Sequence, residues 1–125
     1  MLFRSPVELP DLRIESPLDV LTVLLVSLDS KPLRESSRML LQVMTEESTT
    51  GWTTEPAGPG LERITKLGSN PWRIRPIRGS VTFRAPDAAR LRVTPLDLQG
   101  RPGKPLPNAP EFKLEPGTVY YEISR

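Results

Sequence analysis

Apolar residues occur along this chain in short runs, and the densest run occupies residues 20–28 (VLTVLLVSL). It is too short to cross a bilayer, which takes about 20 apolar residues. Val, Leu and Thr dominate it, and β-branched residues suit a pleated backbone. A run without alternation reads as a strand covered on both faces, with a short buried helix as the competing reading. Pro17 ahead and Asp29-Ser30-Lys31-Pro32 behind stop the run at strand length, which favours the strand. Residues 38–45 alternate instead, with Met39, Leu41 and Val43 on one face and Arg38, Leu40, Gln42 and Met44 on the other. The connection over 29–37 is too long for a two-residue hairpin turn. Glu35-Ser36-Ser37 fits a single helical turn inside it.

The rest of the chain repeats this grammar. Residues 1–10, broken by Pro6 and Pro10, read as a lead-in or linker. Residues 11–16 (DLRIES) alternate Leu12 and Ile14 against Arg13 and Glu15, as a half-buried first strand does. Residues 46–52 read as an exit and turn, with Gly51 free to take positive φ. Residues 53–60 (TTEPAGPG) read as a mobile loop by composition. Strand patterns follow at 61–67, 72–77, 79–84, 90–96, 112–114 and 119–123. They place Val81, Phe83, Leu91, Val93, Phe112, Leu114, Val119, Tyr121 and Ile123 inward. Pro95 marks its strand as an edge or a bulge. Residues 105–110 read as extended coil, and Glu115-Pro116-Gly117-Thr118 as a type II turn. The pattern predicts an all-β fold, an antiparallel β-sandwich of eight or nine short strands over residues 11–125. A barrel is the main alternative.

Composition narrows the chemistry. Fifteen prolines in 125 residues forbid long helices, because each removes an amide donor and fixes φ. The chain has no cysteine, which excludes disulfides and thiolate nucleophiles. It has no histidine, which removes Ser–His and Cys–His catalysis and His-based metal sites. The net charge is +2. Over residues 62–104, ten basic residues against three acids leave +7. The plain reading is that arginines line the wet faces of strands. The sharper one is a module for an acidic polymer using Arg73, Arg75, Arg90 and Arg92. No secretory leader is evident at residues 1–6. Neither a membrane nor a nucleic acid is expected as a partner.

Candidate sites were sought in turn. Gly58-Pro59-Gly60 and Gly100-Arg101-Pro102-Gly103-Lys104 match no phosphate-binding fingerprint and read as turns. Glu46 and Glu47, as neighbours on a strand, point to opposite faces and make a poor catalytic pair. Asp19, Asp29, Asp97 and Glu115 lie beside turns, where carboxylates bond backbone amides. That use outweighs a calcium site. No catalytic residue, metal ligand or cofactor is expected. Aromatic side chains are the remaining candidates, since sugar rings stack on exposed indole and phenol faces. Trp52 sits at a turn beside a loop, Trp72 follows a proline turn, and Tyr120 alternates with inward Tyr121. These three form the candidate carbohydrate-binding set. Against that, core packing is favoured for Trp72 and partial packing for Trp52, because large aromatics are mostly buried.

The order of several segments resembles a known domain type. Val26-Ser27-Leu28-Asp29-Ser30-Lys31-Pro32-Leu33 is followed by Glu35-Ser36-Ser37-Arg38-Met39-Leu40-Leu41 and then Thr49-Thr50-Gly51-Trp52. Further on come Leu67-Gly68-Ser69-Asn70-Pro71-Trp72, Ile77-Arg78-Gly79-Ser80-Val81-Thr82-Phe83 and Leu96-Asp97-Leu98-Gln99-Gly100-Arg101. This series is similar to the C-terminal β-sandwich of large bacterial glycoside hydrolases, in which a catalytic TIM barrel comes first. The likeness extends over residues 12–125.

The resemblance implies a non-catalytic accessory domain that packs against the catalytic barrel of a parent enzyme, in a secreted or periplasmic setting. The catalytic acid and nucleophile of that family belong to the barrel, so the resemblance assigns no catalytic residue here. The alternative is an independent carbohydrate-binding module that stacks a polysaccharide on Trp52. An enzyme made of this chain alone has the least support.

Overall fold

A computed structural model describes residues 5–108 and 110–125. Their strands, in chain order, are β1 (Val7–Glu8), β2 (Leu12–Glu15), β3 (Leu21–Ser27), β4 (Arg38–Thr45), β5 (Glu47–Thr50), β6 (Thr53–Gly58), β7 (Leu61–Lys66), β8 (Ser69–Ile74), β9 (Ser80–Phe83), β10 (Arg92–Leu96), β11 (Glu111–Lys113) and β12 (Tyr120–Ser124). A 3-10 turn over Ala88–Arg90 is the one helical element among the described residues. The chain divides into two compact units. One is Thr45–Arg75, and the other combines the described residues up to Met44 with Pro76–Arg125.

The larger unit is an antiparallel β-sandwich. One sheet runs β1-β2-β9-β11 and the other β10-β12-β4-β3. In the first, Leu12 lies opposite Phe83, and Val81 opposite both Ile14 and Phe112. In the second, Tyr121 lies opposite Leu41 on one side and Pro95 on the other. Each strand turns alternate residues inward, so Leu12, Val81, Phe83 and Phe112 meet Met39, Leu41, Val43, Val93, Tyr121 and Ile123 in the buried core. Rings tie the sheets together. Phe83 stacks on Phe112 with centroids 5.9 Å apart, and Phe112 meets Tyr121 across the sandwich at 5.4 Å.

Loop carboxylates and one arginine hold the ends of this unit. Asp29 accepts hydrogen bonds from the Ser27 and Ser36 hydroxyls and the Ser37 amide, which folds residues 29–37 onto the start of β4. Asp97 accepts from the Gln99 and Arg101 amides at 2.9 and 2.8 Å. Arg125 pairs with Asp87 at 2.6 Å and donates to the carbonyls of Leu33 and Ser36. These bonds bear out the turn role expected of Asp29 and Asp97.

The smaller unit has a different energetic basis. β5 pairs with β8, and β6 pairs with β7, as two two-stranded ribbons. Every buried apolar side chain among the described residues lies outside Thr45–Arg75, whose one buried side chain is Thr45. Ladder bonds and hydroxyls therefore hold this unit. Thr45 donates to the Arg75 carbonyl at 2.5 Å, Thr50 to the Pro71 carbonyl at 2.7 Å, and Thr49 to the Leu67 carbonyl. Gly68 has φ of +72°, and an added Cβ would lie 2.5 Å from the Thr50 carbonyl oxygen and 2.8 Å from the Trp52 amide nitrogen. Only glycine fits there.

Several expectations are corrected. Residues 7–8, assigned to a lead-in, form β1 against Ile14 and Arg13; residues 1–4 of that lead-in lie outside the described residues. Residues 47–50 and 53–58, read as turn and loop, are strands β5 and β6; with β1 they take the count from the expected eight or nine to twelve among the described residues. Pro56 is tolerated because each strand of a two-stranded ribbon has a free edge. The run at 20–28 is not covered on both faces. β3 is an edge strand with Leu24 51% and Val26 36% exposed. The helical turn in the 29–37 connection starts earlier than expected, with the Glu35 and Ser36 amides both bonding the Pro32 carbonyl. The Glu115–Thr118 turn closes through the Thr118 amide, but Gly117 does not take positive φ, so it is not type II.

Candidate functional site

The three aromatic candidates do not form one platform on a single unit. Trp52 and Trp72 belong to the smaller unit, and Tyr120 to the sandwich. Trp52 follows Gly51, whose φ of +85° turns the chain so that the Trp52 amide bonds the Thr49 carbonyl. Its side chain is 40% exposed. Trp72 lies opposite Thr49 on β8 and is 63% exposed, which overturns the expected core packing. The cause is local: a two-stranded ribbon without a core offers no interior to fill.

Tyr120 is half-buried on the outward face of the second sheet. There it sits opposite Gln42 on β4 and Leu96 on β10. The same face carries Leu40 and Met44 from β4 and ends at the exposed Leu24 and Val26 of β3. Arg38 and Glu122 pair on it at 2.9 Å. These apolar side chains interleave with Gln42, Thr94 and the Arg38–Glu122 pair, the mixed composition of a contact surface.

Within Thr45–Arg75 lies an open groove of about 600 Å³ lined by Glu46, Ser48, Trp52, Glu62, Arg73 and Arg75, together with Glu47, Thr54 and Ile74. Ser48 and Arg73 are cross-strand partners on β5 and β8. Glu46 and Arg75 pair at 3.4 Å, and Thr54 donates to Glu62 at 2.7 Å. Arg73 and Glu47 make no hydrogen bond or ion pair among the described residues. Trp72 does not line the groove.

Sequence reading reached Trp52 but missed Ser48, Thr54, Glu62 and Arg73 as its neighbours. Their association depends on β5 and β6 being strands. The signal was present in the β-branched Thr49-Thr50 and Thr53-Thr54 pairs, which the glycines and prolines around them outweighed.

Among the described residues no group of three or more Asp or Glu side chains is placed to hold a metal ion. Four of the ten basic residues of 62–104 are paired with acids. Arg63 pairs with Glu55, Arg75 with Glu46, Arg84 with Glu8 and Arg101 with Asp97. No family model, no curated protein and no solved structure matches the chain.

Proposed function

We propose that this chain is a non-catalytic accessory β-sandwich domain of a glycoside hydrolase, packed against the catalytic barrel of that enzyme. The observation that carries this reading is the outward face of the second sheet. Leu24 and Val26 at its edge are exposed, and Leu40, Met44 and Tyr120 continue the strip across β4 and β12. A solvated sheet face normally alternates polar residues outward. With Gln42 and the Arg38–Glu122 pair among them, these exposed and half-buried apolar side chains suit a mixed contact with another domain. The resemblance of residues 12–125 to the sandwich that follows a glycoside hydrolase barrel supports such a barrel as that other domain. On this reading the chain's role is structural, and the parent enzyme's setting outside the cytoplasm would be its own.

The test is capture from extracts of the chain's own cells with the tagged protein, followed by mass spectrometry and glycosidase assay. The reading expects a barrel enzyme with glycosidase activity on the wild-type chain and its loss with Leu24→Asp/Val26→Asp. Recovery of no glycoside hydrolase, or equal recovery with the double variant, would overturn it.

A further inference from the structure

The groove of Thr45–Arg75 has no part in the docking face described above, and its chemistry is of another kind. We propose that it binds a segment of neutral polysaccharide, with Trp52 as the stacking surface and Arg73 and Glu62 as the hydrogen-bonding walls. Its volume of about 600 Å³ falls within the ordinary range of small-ligand sites, about 300–1,000 Å³. Four features then select the ligand.

The first is the indole. Trp52 is 40% exposed at the groove although the chain has apolar surface elsewhere to cover it. An aromatic face carries negative quadrupole density and attracts the polarised C–H groups of a pyranose ring. The second is the inventory of hydrogen-bonding groups. The Arg73 side chain, on the Ser48 face of the β5–β8 ribbon, offers only donors and is not engaged among the described residues. Glu62 receives Thr54 on one carboxylate oxygen, which leaves the other free to accept. A sugar hydroxyl both donates and accepts, so it satisfies such a mixed wall, whereas a ligand of one polarity does not.

The third is charge. Glu46 and Glu62 balance Arg73 and Arg75, and Glu47 on the opposite ribbon face adds a further acid, so the lining has no positive excess. Sulfated, phosphorylated or uronic-acid polymers are disfavoured on that balance, in spite of the basic excess over residues 62–104. The fourth is rigidity without a core. The Gly68 turn, the Thr49 and Thr50 hydroxyl bonds to the opposite carbonyls and the Glu46–Arg75 pair fix the two strands that flank the groove. A solvent-open surface cleft held by its own backbone suits a segment of polymer.

The experiment is affinity electrophoresis of the whole chain through gels containing galactomannan, xyloglucan or mixed-linkage β-glucan, with polygalacturonate and alginate as acidic comparisons. The expected result is retardation by at least one neutral polymer, retained at about 0.5 M salt, where exposed charges are screened within a few ångströms. Trp52→Ala and Arg73→Ala should each weaken it about tenfold or more. Trp72→Ala, outside the groove, should leave it within about twofold, and so should Leu24→Asp/Val26→Asp. Circular dichroism guards against unfolding, and Trp52→Phe, which keeps an aromatic face, should restore part of the retardation. Migration unchanged in every neutral gel overturns the proposal. So does retardation that survives Trp52→Ala, or retardation by acidic polymers alone that vanishes with salt. None of these outcomes bears on the docking face, which is read by capture of the barrel enzyme.

Discussion

The Asp29 carboxylate accepts a hydrogen bond from the buried Ser36 hydroxyl at 2.6 Å, across a connection of seven residues. The Ser27 hydroxyl bonds the same oxygen at 2.7 Å, and the Ser37 amide bonds the other at 2.7 Å. Ser36 is fully buried, so its hydroxyl has no water to fall back on. Replacing Ser36 with Ala should cost about 1–3 kcal/mol, measured by urea unfolding, because the carboxylate loses a donor and the Arg38 carbonyl a neighbour within hydrogen-bond reach. A loss under a few tenths would show that the loop repacks without it.

The same group predicts a pH dependence. The Ser36 and Ser27 hydroxyls and the Ser37 amide hold the Asp29 carboxyl well below the ordinary aspartate value of 3.8. Arg125 lowers Asp87 in the same direction, the Arg101 amide and guanidinium lower Asp97, and Arg84 lowers Glu8. A lowered folded-state pKa contributes stability above the unfolded value that is lost as pH falls towards the folded one. Stability should therefore be flat above about pH 5 and decline below about pH 4. Asp29→Asn should be less stable at pH 7 and show a shallower acid decline. An equally steep decline in that variant would place the acid sensitivity elsewhere.

Tyr121 combines a core position with a polar bond. Its ring is fully buried against Phe112, while its hydroxyl accepts the Glu115 amide at 2.7 Å. Burial raises its pKa, so the phenol stays neutral at physiological pH. Tyr121→Phe keeps the packing and strands the amide, which should cost about 1–3 kcal/mol. Tyr121→Ala also opens a cavity between the sheets and should cost about 3–5 kcal/mol, comparable with other large aromatic truncations. Thermal unfolding of the two variants separates the hydroxyl from the ring.

Most of the sandwich was legible because its strands alternate. Met39, Leu41 and Val43, then Val81 and Phe83, then Val119, Tyr121 and Ile123 all lie inward as their period of two requires. β3 misled for the opposite reason. A run apolar on every position carries no face information, and the tertiary structure left one face open at an edge. The smaller unit was hard to read because its strands bury nothing. Thr53–Gly58 contains a proline and lies between glycine-bearing turns, and only pairing with Leu61–Lys66 makes it a strand. Trp52 was visible as a candidate from its residue type. The groove beside it was not, since Ser48 and Arg73 meet through a pairing that hydrophobic periodicity cannot reveal.

Gly68 gives the sharpest test of that smaller unit. It combines a φ of +72° with close approach to the Thr50 carbonyl and the Trp52 amide, so Gly68→Ala meets both a backbone penalty and a steric one. The local cost should be about 2 kcal/mol or more. Because Thr45–Arg75 supplies none of the buried apolar core among the described residues, the sandwich should not share that loss in full. Both tryptophans of the chain lie in this unit, so indole fluorescence reports on it alone, while near-ultraviolet dichroism from Tyr121 and the core phenylalanines reports on the sandwich. Gly68→Ala is expected to red-shift the indole emission and loosen the Trp52 groove while the tyrosine band and the main thermal transition stay near wild type. A single concerted transition, with both signals lost together, would instead make the ribbons and the sandwich one cooperative unit. The hydroxyl and ladder bonds of residues 45–75 would then be part of what holds the core closed.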